Sequence, residues 1–142
     1  MPYYKYKENI PSYDFADFKK ACKKNNRDNI FLPPNVLADA DKYFNLRSKK
    51  QILDFIQNNG LENQIFENTK PWENNPNKNK PIMVDAYEFE TWGRRGYIAF
   101  MYNDKTNKWI IKSFHLSNNW NKAMYFAFDK LGIFNKLEEK NE

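Results

Sequence analysis

The stretch from Tyr97 to Ser117, YIAFMYNDKTNKWIIKSFHLS, constrains the fold more than any other part of the chain, because two β-prone runs flank a short polar turn. Tyr97 to Tyr102 forms the first run, Asn103 to Asn107 the turn, and Lys108 to Leu116 the second run. The second run ends in Lys112, Ser113 and His115, the chain's single histidine. Arg94 and Arg95 stand between Gly93 and Gly96 just before the first run. One small hairpin therefore carries Arg, Lys, Ser, Tyr and His, a set able to cut a phosphodiester without a metal. The same residues also suit an ordinary basic hairpin.

Upstream, Ile82 to Thr91 reads as a strand with apolar residues on both faces: Ile82, Val84 and Ala86 on one, Met83, Asp85, Tyr87 and Phe89 on the other. That pattern predicts a central strand, and with Trp92 to Gly96 as the turn, three sequential strands form an antiparallel meander over 82–116. Residues 1–66 read as mainly helical. Ser12 caps a helix to about Asn25, with Phe15, Phe18 and Cys22 on one face and Lys19, Lys20, Lys23 and Lys24 on the other, either a solvated or a phosphate-contacting face. After Pro33 and Pro34, Asn35 opens a second helix; Ser48 and Gln51 form a capping box for a third, which Asn58, Asn59 and Gly60 stop.

ENTKPWENNPNKNKP, residues 67–81, lacks periodicity and reads as an exposed loop in which Trp72 either staples the loop to the body or stacks on a base or partner. A closing helix over 117–134, begun by Ser117, completes a single α+β domain. Its helices lie on one face of a small, curved antiparallel sheet, leaving the other face for a substrate or partner.

A length of 142 residues permits one domain with a real core. At 18% aromatic residues, rings are expected to fill it. The formal charge of +5 leans toward acidic partners, including nucleic acid. Cys22 stands alone, so no intrachain disulfide forms, and with one histidine a Cys/His zinc site would need ligands from a second subunit. Without an apolar run of membrane-spanning length or a secretion signal, the expected location is the cytoplasm. No glycine-rich phosphate loop or nucleophile elbow occurs, and the expected chemistry calls for no cofactor or metal.

Cutting RNA without a metal requires a base for the 2′-OH proton, an acid for the leaving 5′-oxygen and a cation for the phosphate. His115 can act as acid or base, Arg94 or Arg95 can clamp the phosphate, Lys112 adds charge, and Ser113 with Tyr97 and Tyr102 can orient the ribose. Regular alternation puts Trp109, Ile111, Ser113 and His115 on one face and Ile110, Lys112, Phe114 and Leu116 on the other. Lys112 can then join Ser113 and His115 only if the strand bends or bulges. Asp85 and Glu88 point to opposite faces, which disfavours a paired-carboxylate site.

GYIAFMYN, a short polar turn and KWIIKSFHLS, preceded by GRRG and helices, resembles the RelE/ParE-like bacterial toxin ribonucleases within the wider barnase-like and colicin-like superfamily. The resemblance covers roughly the last half of the chain. It implies a curved sheet bearing the catalytic groups on its C-terminal strands, an endoribonuclease activity, and a cognate antitoxin or immunity protein that blocks it. On this chain it implies Arg94 and Arg95 as phosphate ligands and His115 as acid or base, with Lys112 and Ser113 in support. The longer helical section and the loop around Trp72 depart from the family pattern. The competing expectation is a non-catalytic basic and aromatic binding module, an inhibitor or adaptor.

Overall fold

A computed structural model describes residues 10–117. The element order is α1 (Phe15–Ala21), a 3₁₀ segment (Lys24–Asn29), β1 (Ile30–Phe31), α2 (Pro34–Phe44), α3 (Lys49–Gln57), β2 (Glu62–Pro71), β3 (Met83–Thr91), β4 (Arg94–Asn103) and β5 (Lys108–Leu116). The strands form one five-stranded sheet in the order β1-β5-β4-β3-β2. The fold is α+β, as the sequence predicts, but the sheet is mixed: β1 runs parallel to β5 through Ile30 and Phe31. The expected closing helix over 117–134 lies outside the described residues.

Local chemistry explains most of the helix ends. Asp14, not Ser12, caps α1, accepting from the Ala16 N–H, and the α-helix stops at Ala21. Ser12 is used elsewhere: its N–H and that of Tyr13 donate to the two carboxylate oxygens of the buried Asp85 at 3.1 and 2.9 Å, and its hydroxyl lies 2.6 Å from the Thr69 hydroxyl. Pro34 opens α2 with its fixed φ, and Asn45 ends it in the left-handed region at φ 57°. At α3, the Ser48 hydroxyl accepts from the Gln51 N–H, while the Gln51 side chain reaches back to the N–H of Arg47 rather than of Ser48. This is a capping box shifted by one residue.

Phe18, Val36, Ala40, Phe44, Ile52 and Ile56 from the helices share one core cluster with Tyr87, Phe89, Ile98, Phe100, Ile111 and Phe114 from the strands. Its rings are in direct contact. Phe18 stacks on Phe100 at 3.9 Å, and Phe44 lies 4.8 Å from Phe114. Both faces of β3 are largely buried, as expected of an internal strand.

The expectation of helical structure up to 66 and an exposed loop over 67–81 is corrected by β2, which pairs antiparallel with β3 from Glu62 to Pro71. ENQIFENTKP is poor in β-formers, and two register shifts break its alternation. The remaining connection is tied at both ends. The Trp72 N–H donates to the Ile82 carbonyl, and the buried Asn75 side chain donates to the Lys80 carbonyl and accepts from the Asn77 N–H.

Candidate functional site

Strand pairing assembles the site. Glu88 of β3 sits opposite Tyr97 of β4, which sits opposite His115 of β5, so three polar side chains form one row across the sheet. In the next row Ala86, Ala99 and Ser113 are aligned, with Asn68 of β2 beside Ala86. Small alanines in the middle keep the surface low between polar edges. An open cleft of about 490 Å³ results, lined by Glu67, Glu88, Tyr97, Ser113, His115 and Ser117 together with Asn68.

A bulge decides which residues of β5 meet there. Ala99 pairs with Ser113 but Phe100 pairs with Ile111, so Lys112 is an extra residue on the β5 side. The extra residue flips the strand's alternation. Trp109 and Ile111 join Phe114 and Leu116 at the core, whereas regular alternation would have set them with Ser113 and His115. With the shift, the Lys112 ammonium lies over the Trp72 ring, 5.4 Å from its centroid, beside Ser113. The bulge that the sequence requires for Lys112 is present, but Ser113 and His115 line the cleft while the Lys112 ammonium is engaged with Trp72.

His115 is partly exposed and stacks on Tyr97 with 5.2 Å between ring centroids. Its Nδ1 lies 2.6 Å from the Leu116 carbonyl oxygen. A carbonyl can only accept, so Nδ1 donates to it. Burial first, then the negative charges of Glu67 and Glu88, push the Tyr97 hydroxyl above its ordinary value and keep it an O–H donor at neutral pH.

The two arginines do not act as a pair. Trp92 and Gly93, at φ 48° and 75°, form the two-residue turn between β3 and β4, so Arg94 and Arg95 lie within β4 and alternate to opposite faces. Arg94 donates to the Tyr43 carbonyl at the C-terminal end of α2, satisfying one of the carbonyls a helix end leaves open. Arg95 is only 2% exposed; its Nε donates to Glu88 at 3.2 Å and its Nη1 to Glu90 at 3.4 Å. Ser117 completes the group: its hydroxyl donates to Glu88 at 2.9 Å and its N–H to the Arg95 carbonyl at 3.0 Å. Arg94 and Arg95, expected as phosphate ligands, are each engaged with protein oxygens instead. Tyr102 is also apart from the cleft, at the turn end of the β4–β5 hairpin, where its hydroxyl donates to Asn107 and its ring meets Trp109 edge-on.

Sequence reasoning missed Glu67, Glu88 and Ser117. Alternation puts Asp85 and Glu88 on opposite faces, and the second carboxylate beside Glu88 is Glu67, supplied by β2. Ile65 and Phe66, an apolar pair within a polar stretch, were the available signal for that strand. Among the described residues no cluster of His, Cys, Asp and Glu is arranged to hold a metal, and no helix is long and apolar enough to cross a membrane.

No known protein family, curated protein or solved structure matches this chain.

Proposed function

We propose that the protein is a toxin-like, metal-independent endoribonuclease whose reaction takes place in the cleft around His115. The observation that carries this reading is the cleft itself, in which the strand register gathers a serine hydroxyl and an imidazole beside a tyrosine and two carboxylates. In the reaction the ribose 2′-oxygen attacks the neighbouring phosphorus, the bond to the 5′-oxygen breaks, and a 2′,3′-cyclic phosphate and a 5′-hydroxyl result. His115 exchanges a proton at Nε2, and Glu67 is the second proton-handling group. Lys112 offsets the growing phosphate charge, and the Tyr97 and Ser113 hydroxyls orient the ribose. Arg95 acts one step back, bonding Glu88 and holding it in place. A cognate antitoxin or immunity protein would neutralise the enzyme by covering this cleft.

Purified protein incubated with RNA in excess EDTA tests the reading: fragments ending in cyclic phosphate are expected. Intact RNA from folded protein would refute it.

One observation favours the second reading, a non-catalytic binding module: both arginines are committed to protein groups, so no bidentate phosphate clamp opens into the cleft. It predicts salt-sensitive binding without turnover and indifference to loss of His115.

A further inference from the structure

A second concave surface lies away from the cleft, at the tip of the β3–β4 hairpin. Two-residue turns of this kind require positive φ at both positions and favour Asn-Gly or Asp-Gly. Here the first position is Trp92, at φ 48° and 66% exposed, in a chain that uses asparagine freely elsewhere. A bulky ring in the left-handed region is strained, and its exposure forgoes the burial that would offset the strain. One side of the indole rests on Phe55, with 5.7 Å between ring centroids. It borders an open hollow of about 470 Å³ lined by Leu46, Phe55, Gln51, Asn58 and Asn59 together with the carboxylates of Asp54 and Glu62.

Cations offset the Asp54 carboxylate. Arg27 and Lys50 both bond Asp54 and hold its carboxyl below the usual range, and Lys19, from the lysine face of α1, donates to Asn59. An exposed ring, amides with donors and acceptors, and ammonium groups at the rim make up the chemistry of a single-stranded nucleic-acid subsite: stacking, edge hydrogen bonds and phosphate charge. Trp92 directly follows β3, and its hollow lies on the α3 side of the sheet, the side of Phe114, whereas Glu88, Ser113 and His115 face the other side.

We infer that the hollow beneath Trp92 is an exosite for single-stranded RNA, in which one base stacks on the indole and Lys19 and Lys50 contact the flanking phosphates. The inference rests on the ribonuclease reading for its substrate, but its test does not need cleavage. The probe is a fluorescein-labelled 2′-O-methyl oligonucleotide of about twelve nucleotides, which lacks the attacking hydroxyl, with binding read by anisotropy over a salt series. Trp92→Asn installs the favoured Asn-Gly turn, so its melting temperature should equal or exceed that of the wild type. Its affinity should fall about tenfold, the scale of one lost stacking contact. Lys19→Gln should weaken binding less and flatten the salt dependence.

Unchanged affinity in Trp92→Asn would overturn the inference, as would a wild type that fails to bind the probe at low salt. Loss of a protein partner by Trp92→Asn with RNA affinity intact would overturn it in favour of protein docking. Uncut natural RNA, by contrast, bears on the catalytic reading alone.

Discussion

Replacing Arg95 by alanine separates a structural from a substrate-binding guanidinium. The Arg95 side chain is 1% exposed and its Glu88 partner 4%, with 3.2 Å between Nε and Oε1. Removing the cation leaves the largely buried Glu88 carboxylate with Ser117 still donating to it. Breaking a buried pair from one side typically costs about 3–5 kcal/mol, whereas an exposed pair contributes about 1 kcal/mol or less. Against a total stability of about 5–15 kcal/mol for a domain of this kind, the variant should lose a large fraction of its margin. Urea denaturation followed by far-UV circular dichroism measures that loss. Arg95→Met should lose a similar amount, because it restores the volume but not the charge. Adding Glu88→Gln to Arg95→Met removes the stranded charge and should recover at least half of it. An Arg95→Ala variant within about 1 kcal/mol of wild type would refute the reasoning and return the guanidinium to the substrate.

Other perturbations probe the rest of the framework. Gly96→Ala would place a methyl carbon 2.3–2.8 Å from the ring of the fully buried Phe89, so a loss of about 1–3 kcal/mol or more is expected by thermal melting. Asp85→Ala would strip the acceptors from the Ser12 and Tyr13 N–H groups, with an expected loss of about 3 kcal/mol and faster amide exchange at those two residues. Burial pushes the Cys22 thiol from 9.0 up to about 12, and burial with the Asp85 and Asp14 charges pushes Tyr87 from 10.0 to about 12. Both groups keep their protons in the folded state after the unfolded chain has lost them. Stability should therefore hold below pH 9 and fall as pH rises from 9 toward 12, with Cys22→Ala showing a shallower decline in urea titrations.

The parts of the fold legible in the sequence are those whose signals are local. The Tyr97–Ser117 hairpin declared itself through β-branched and aromatic runs around a polar turn, and α3 through Ser48 and Gln51. Three features were hidden because partners distant in sequence determine them. Strand β2 is built from residues with little intrinsic preference for strand and is held by pairing with β3. The two-residue parallel contact of β1 with β5 has no signature of its own. The bulge at Lys112 left a faint trace, the three-residue spacing of Ile111 and Phe114, both of which reach the core. At the site, alternation sets Ser113 and His115 on one face, and both line the cleft, whereas the place of Tyr97 beside them comes from the strand register. Arg94 and Arg95 were not placed correctly, because their roles depend on where the turn ends, and Trp92 rather than a conventional turn residue occupies its first position.

The most direct test is the rate at which RNA is cut in EDTA by wild type, His115→Ala and Arg94→Ala, each shown to be folded. Loss of the proton-transferring imidazole should slow cutting by about a hundredfold or more, while Arg94→Ala, whose guanidinium faces α2, should stay within about threefold of wild type. RNA left intact by the wild type, or cut equally fast without His115, would contradict the account.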